Sequence, residues 1–406
     1  MEKIKIVAIG DLGGQTGLGR AMYDVLCYLS KTGKYDIVQL ALSYTGWHRY
    51  LNKEEFPFDL IPMRQNKWGR DILPDILHLE KPDILFTMAD WTHFDWLSYP
   101  DPNSKIEYEL YHPANRKFKH LMYFPLDGLT FRDEPMRDVV DVVSQADIPV
   151  ICAPFAYNVL KQYIPNIKYI PHAINMDLWK PISKQEARLA MDVPRDKFII
   201  GMVGTNQIRK QFEDLFHAFS IFAEGKDDVI LLPFTRFQAP EYDGSHNLED
   251  IALRLNIVDK IINPESMLGC PHEVMNIIYN CMDVHTLLTL GEGFGYPAIE
   301  ARSCGIPSLV SNNTACKDFI VDQFEAIPHR TTYIERMNNI IRFLPDIEDT
   351  ITKWNILYED WKKDSSLIKQ LSGKGRAYVL DNLTFDKILP QWDTLLTSEV
   401  EKGILV

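Results

Sequence analysis

The chain has 406 residues, a formal net charge of −13, and 46% hydrophobic and 24% charged residues. That length sets an expectation of two or three domains, and the acidic balance weighs against broad electrostatic binding to nucleic acid or anionic lipid. No run of about 18 apolar residues occurs, so no membrane-spanning helix is expected. Cys27, Cys152, Cys270, Cys281, Cys304 and Cys316 lack paired spacing and read as reduced core thiols of a cytosolic protein. The first residues run straight into a strand pattern, without the long apolar region of a signal peptide.

Lys3 to Ile9 is nearly continuously apolar, as a buried parallel strand would be. A glycine-rich loop follows from Asp11 to Gly19. Leu18, Met22, Val25, Leu26 and Leu29 then recur at helical spacing, with Gly33 just past the end. Asp36 to Leu42 reads as a strand, Asp71 to Leu79 as a helix and Asp83 to Thr87 as a strand. Ser98 to Phe118 is polar and carries three prolines, which makes it long for a connection inside a compact domain. Leu121 to Phe124, Pro149 to Cys152 and Lys168 to Ile170 are short strands, with a helix over Pro154 to Tyr163.

A second alternation starts after Trp179-Lys180-Pro181. Phe198 to Val203 is a strand, and the next helix carries Phe212, Leu215, Phe216, Phe219 and Phe222 on one face. Strands are expected at Val229 to Leu232, Lys260 to Ile262, Asp283 to Leu290 and Ser308 to Val310, with helices at Leu248 to Leu255 and His272 to Tyr279. From about Thr332 the tail reads as helix-rich, with no strand evident. The pattern implies an α/β protein of two doubly wound, Rossmann-like domains. We expect residues 1–178 and 182–380 to form the two domains and 381–406 a closing helical segment. Ligands of such sheets bind beyond the carboxyl ends of the strands, so two of them can face each other across a cleft.

Three clusters suggest chemistry. In Gly291-Glu292-Gly293-Phe294-Gly295-Tyr296-Pro297-Ala298-Ile299-Glu300, glycines open a helix whose N-terminal N–H groups favour an anion, and two carboxylates flank the turn. Gly13-Gly14-Gln15-Thr16-Gly17-Leu18-Gly19-Arg20 permits close backbone approach to a ligand, or is simply a tight turn. Its glycine order differs from the dinucleotide fingerprint, and the second strand ends Gln39-Leu40-Ala41-Leu42 without an acidic residue, which argues against a nicotinamide dehydrogenase. Arg209-Lys210 suits a diphosphate, although a basic pair alone is ordinarily a solvated surface feature. No Cys/His spacing suggests zinc, and no acidic pair at a strand end suggests a magnesium-diphosphate site.

Glu292 to Glu300 in the E-x7-E spacing, preceded by Arg209-Lys210, resembles the signature of retaining glycosyltransferases of the two-Rossmann-domain (GT-B) architecture, specifically glycosyltransferase family 4. Ile170-Pro171-His172-Ala173-Ile174-Asn175 is similar to that family's interdomain element, Gly13 to Arg20 to its N-terminal glycine loop, and Phe385 to Ile388 with Trp392 to its closing helix. The resemblance implies metal-independent transfer from a nucleotide-diphosphate sugar, most simply a UDP- or GDP-sugar, with no resident cofactor. Glu300 would hold the ribose, Glu292 the sugar hydroxyls, and Arg209 and Lys210 the departing diphosphate. Gly14, Gln15, Thr16, Gly17, Asn206, His172 and the backbone of Gly293, Phe294 and Gly295 would complete the donor site.

Several positions depart from the family pattern. Gly204-Thr205-Asn206 lacks the usual arginine, for which Arg20 is a candidate substitute, and Asp127 in Tyr123-Phe124-Pro125-Leu126-Asp127 stands where the family has a histidine. Asp127 is thus a candidate for the reacting centre or a cap. Trp47, His48, Asp90, Trp91 and His93, on loops after strands, are candidates for the acceptor side, or pack beneath those loops. Arg49, Lys53, Arg64, Lys67, Arg70, Arg116, Lys117 and Lys119 make the first half locally basic, so contact with a lipid headgroup at the membrane periphery or with nucleic acid stays open. The acceptor expected is a hydroxyl of a glycan, a lipid-linked sugar or a small molecule. Two alternatives remain, namely sugar transfer onto a nucleic acid base and a non-catalytic sugar-nucleotide-binding module.

Overall fold

The computed structural model describes residues 3–12, 16–42, 44, 46, 55–64, 68–238, 245–264, 270–336 and 339–403. The chain divides into two compact units, Met1–Ala173 with Phe385–Val406, and Ile174–Thr384.

Unit 1 runs β1 (Ile4–Asp11), α1 (Gly17–Lys31), β2 (Tyr35–Leu42), β3 (Asp59–Pro62), α2 (Leu73–Glu80), β4 (Ile84–Met88), α3 (Asp95–Ser98), α4 (Lys105–Tyr111), β5 (Lys119–Phe124), α5 (Arg137–Val143), β6 (Ile148–Ile151), α6 (Pro154–Leu160) and β7 (Lys168–Tyr169). Among the described residues its strands form one parallel sheet in the order β3-β2-β1-β4-β5-β6-β7. Helices cover both faces, so the strands are apolar throughout; Ile6, Val7, Ala8 and Ile9 are fully buried. Thr16 caps α1, accepting from Gly19 N–H at 2.9 Å while its hydroxyl donates to Asp11 Oδ2 at 2.8 Å. Met22, Val25, Leu26 and Leu29 face the core, and Gly33, at φ 74°, turns the chain after the helix.

Unit 2 runs α7 (Lys184–Ala190), β8 (Phe198–Val203), α8 (Phe212–Phe222), β9 (Val229–Phe234), α9 (Leu248–Arg254), α10 (His272–Cys281), β10 (Val284–Leu287), α11 (Tyr296–Ser303), β11 (Ser308–Ser311), β12 (Ala326–Ile327), β13 (His329–Ile334), β14 (Ile341–Pro345), α12 (Ile347–Lys363) and α13 (Ser366–Asn382). The parallel sheet has the order β12-β11-β10-β8-β9, and β13 and β14 pair separately as an antiparallel ribbon. The five apolar residues of α8 read from its periodicity are all buried. Burying each such side chain contributes about 1.5–3 kcal/mol, so this one face anchors the helix far more strongly than propensity could. The chain then returns to unit 1 as α14 (Phe385–Glu401), whose Trp392 packs on Tyr123 and Phe86 with ring centroids 4.8 and 5.4 Å away.

Both sheets reverse direction beside their first strand. In unit 1 the order grows from β1 to β2 and β3, then resumes on the other side at β4. In unit 2 it grows from β8 to β9 and resumes at β10. Each sheet therefore has a crevice at the carboxyl ends of two neighbouring strands whose connections leave in opposite directions.

Three expectations need correcting. The tail after Thr332 does contain strand, in the β13–β14 ribbon. Lys260 to Ile262 is a short turn with a single bridge from Ile261 to Leu231 rather than a strand. The polar stretch Ser98 to Phe118 holds α4, capped by Ser104, which accepts from Glu107 N–H. Among the described residues no helix is long and apolar enough to cross a membrane.

Candidate functional site

The crevice of unit 2 lies between the ends of β8 and β10. After β8 the chain makes a short helical turn over Ile208–Lys210, which carries both cations, and after β10 it enters the Gly291–Gly295 loop. Backbone and hydroxyl bonds lace these two ends to the segment after β11. Leu290 N–H donates to Arg209 O at 2.9 Å, Thr289 N–H to Ser311 Oγ at 2.9 Å, and Glu292 N–H to Thr314 Oγ1 at 2.8 Å. Asn313 Nδ2 donates to Thr289 O at 2.9 Å, and Arg209 Nη1 to Gly291 O at 2.8 Å.

This lacing brings Arg209, Lys210 and Glu292 together. Glu292 is 5% exposed, and one of its oxygens, Oε1, takes Arg209 Nη1 at 3.0 Å, Thr289 Oγ1 at 3.2 Å and the ammonium of Lys210. The second oxygen, Oε2, takes no hydrogen bond from the described residues. Burial pushes the carboxyl pKa upward, but Arg209 and Lys210 outweigh it and hold the group at about 2. Burial lowers the pKa of Lys210, and Arg209 adds to that, while Glu292 opposes it. Two cations thus meet one carboxylate oxygen here.

Gly295 opens α11 at φ 92°, a conformation suited to glycine, and a Cβ there would sit 3.3 Å from Cys316 Sγ. Pro297 occupies the first turn. Glu300, one turn further, is buried and accepts a 2.5 Å hydrogen bond from Tyr279 Oη. The ring of Phe294 packs on Phe319 and Tyr296 in the core, and Gly293 is half-buried beside Glu292. Behind the site, Arg302 is fully buried; it pairs with Glu325 at 2.9 Å and donates to Phe319 O at 2.5 Å. Gly375 of α13 packs against it so closely that a Cβ would lie 2.9 Å from Arg302 Cγ.

Asn206 sits in the loop after β8, but its side chain serves the fold. Nδ2 donates to Arg236 O at 3.1 Å and His246 O at 2.7 Å, and Oδ1 accepts from His246 N–H at 3.2 Å. His172 lies inside unit 1, where Tyr123 Oη approaches its Nδ1 at 2.7 Å and donates to Ile170 O at 3.0 Å. Burial, aided by Arg20, lowers this imidazole to about 3. Arg20 is itself buried beside it in unit 1.

The other sequence candidates divide in three. Asp127 is half-buried in the loop after β5. Asp90 is exposed, while Trp91 and His93 are half-buried in a turn after β4; Thr16 and Gly17 begin α1. Gly13, Gly14, Gln15, Trp47 and His48 lie outside the described residues. Sequence reasoning missed Thr289, Ser311, Asn313, Thr314 and Tyr279, which hold the carboxylates in place. Thr314, at φ 39°, had no sequence signal, whereas Thr289 could have been noticed two residues ahead of the glycine loop.

Residues 183–366 match the family described as glycosyl transferases group 1. A D-inositol 3-phosphate glycosyltransferase of Stackebrandtia nassauensis is 28% identical over 141 residues, which is 34% of this chain and 31% of that protein. The chain thus spans about a third of the length of the curated relatives it matches. Among solved structures, a sucrose-phosphate synthase from Thermosynechococcus elongatus superposes with TM-score 0.76 at 16% identity, covering 99% of this chain and 100% of that one. The Anabaena protein HepE in complex with UDP and glucose gives 0.69 at 12% identity, covering 97% of this chain and 100% of that one. At these identities the likeness establishes the fold.

Proposed function

We propose that this chain, whose residues 183–366 match the group 1 glycosyl transferases and whose fold is that of GT-B proteins, is a retaining, metal-independent glycosyltransferase acting on a nucleotide-diphosphate sugar. The observation that carries this reading is the convergence of Arg209 and Lys210 on Oε1 of Glu292, while Oε2 takes no hydrogen bond from the described residues. In this reading Oε2 accepts from a sugar hydroxyl, and Arg209 and Lys210 lie against the diphosphate. The bond from the anomeric carbon to the phosphate oxygen breaks with its electron pair staying on the phosphate. Arg209 and Lys210 stabilise the charge that develops there. The acceptor oxygen arrives on the same face, forms the new bond to the anomeric carbon and gives its proton to the leaving phosphate. Glu300, held by Tyr279, takes the ribose hydroxyls. A UDP- or GDP-sugar fits best, and the presence of UDP and glucose in the HepE structure supports the former.

The test is a melting-temperature panel with UDP, GDP, ADP and their glucose or mannose conjugates, followed by mass spectrometry of products from a mixed acceptor pool. At least one nucleotide should stabilise the chain, and its sugar should appear on an acceptor with the anomeric configuration kept. A complete absence of stabilisation across the panel would sink the reading.

A further inference from the structure

The segment after β11 grips the Glu292 loop from one side. Thr289, Ser311, Asn313 and Thr314 are all buried there. Thr289 N–H donates to Ser311 Oγ, and Asn313 Nδ2 donates to Thr289 O, each at 2.9 Å. Further along, Glu292 N–H donates to Thr314 Oγ1 at 2.8 Å, and Glu292 O accepts from Ala315 N–H at 3.2 Å. Two consecutive residues thus close on both backbone groups of the carboxylate residue. The Thr314 hydroxyl has one proton, which goes to Asn313 Oδ1 at 3.1 Å. Asn313 presents its oxygen there because its nitrogen is committed to Thr289 O. The bonds form a circuit from Thr289 through Asn313 and Thr314 to Glu292.

This grip is held against backbone strain. Thr314 has φ 39°. Left-handed backbone is disfavoured for ordinary side chains, and a β-branched residue there is an outlier. Among the described residues other than glycine with positive φ, Thr314 is the β-branched one. Residues held in this way persist where their surroundings over-determine them, and they gather at active sites and ligand clamps. Glycine would take the same φ without strain but would lack the hydroxyl that meets Glu292 N–H.

The circuit acts on Glu292 and leaves the cations to another tie. Arg209 and Lys210 lie on the turn after β8, which Leu290 N–H joins through Arg209 O at 2.9 Å without Thr314. Oε1 of Glu292 meets both cations, while Oε2 takes no hydrogen bond from the described residues. The direction of Oε2 therefore depends on the backbone at Glu292, which Thr314 and Ala315 hold.

We propose that the strained Thr314 is a positioning residue that aims Oε2 of Glu292, so that it governs recognition of the transferred sugar and not of the diphosphate. The inference rests on the transfer reading above and adds to it a residue that touches neither nucleotide nor sugar.

Calorimetric titration of the full chain with UDP against UDP-glucose, and GDP against GDP-mannose, separates the two halves of the donor. Thr314→Gly should weaken the sugar nucleotide about tenfold or more, since a misplaced polar group loses its bond, with the free nucleotide held within about twofold. Its melting temperature should stay within about 3 °C of wild type, because relief of the left-handed strain offsets the lost bonds. Thr314→Ser, which keeps the hydroxyl, should rescue sugar-nucleotide binding to within about threefold of wild type. If Thr314→Gly does not fold, Thr314→Ala takes its place. The inference is overturned if the sugar nucleotide binds the glycine variant as tightly as wild type, if both halves of the donor weaken equally, if the serine variant is as weak as the glycine one, or if neither the glycine nor the alanine variant folds. A wild type that binds none of the four nucleotides would remove the transfer reading, and this inference with it.

Discussion

Replacing Glu292 by Gln keeps the size of the side chain and removes its charge. In the folded chain this carboxyl sits at about 2 against an ordinary 4.5, which by linkage corresponds to about 3 kcal/mol of stability. Lys210 shifts the other way: its burial lowers the ammonium pKa despite Glu292, so part of the carboxylate's gain is offset in the intact protein. The variant, however, leaves that ammonium buried with no counter-charge, and removing one partner of a buried pair typically costs about 3–5 kcal/mol. Arg209 is 27% exposed at its side chain and can be hydrated, which favours the lower end, about 3 kcal/mol. For a unit of this size that is a fall of roughly 6–12 °C in melting temperature.

The sign with pH follows from the depressed pKa. The contribution is complete above pH 4.5 and is lost as pH falls toward 2. Calorimetry at pH 7.5 and pH 3 should therefore show a wide gap between wild type and variant at the first and less than half of it at the second. A nucleoside diphosphate should also raise the melting temperature of Glu292→Gln more than that of the wild type, because it supplies the missing negative charge. A variant within about 2 °C of the wild type at pH 7.5 would refute this account of the crevice, as would a gap that does not shrink in acid.

Three other outcomes are expected. Arg209→Ala should lower kcat by about 10²–10³ with a folded, nucleotide-binding protein, since one donor to the developing charge is lost; steady-state turnover reads this, and an unchanged kcat counts against the assigned role. Gly295→Ala should destabilise by more than about 1 kcal/mol, because alanine is strained at φ 92° and its Cβ would crowd Cys316, as urea unfolding would show. Burial, with help from Arg302 and Lys210, lowers His285 to about 3, so its penalty is absent above pH 6.5 and grows as pH falls from 6.5 toward 3. His285→Asn should accordingly flatten the stability profile between pH 6.5 and 4, and a profile as steep as that of the wild type would show that other groups govern it.

Periodicity made the two sheets legible where strands are buried on both faces, as in β1 and β8. It failed where polar residues are buried or where strands are exposed. The reading of β5 began at Leu121 because Lys119 and His120 are polar, yet both are buried. His120 bonds to Thr87 at 2.9 Å, and Lys119 donates to Glu399 O of α14 at 2.5 Å, a partner 280 residues away. The ribbon strand His329–Ile334 is exposed along its whole length and so leaves no apolar signature. At the candidate site, the spacing of Glu292, Glu300 and the Arg209-Lys210 pair could be read in advance. The convergence on one oxygen could not, because it depends on three strand ends tied together by Thr289, Ser311 and Thr314. Asn206 misled because a polar residue after a strand can serve either ligand or backbone, and here the backbone of Arg236 and His246 claims it.

The buried Arg302–Glu325 pair has a consequence for where the chain can be shortened. The family match ends at residue 366, yet Gly375 of α13 closes over the stem of Arg302, and Arg376 of the same helix donates to Ser303 O at the end of α11. A chain stopped at residue 366 would hydrate an ion pair that is now dry and strip the rear support from the helix that carries Glu300. The smallest autonomous form of this unit therefore extends through α13, beyond the region that the family match covers.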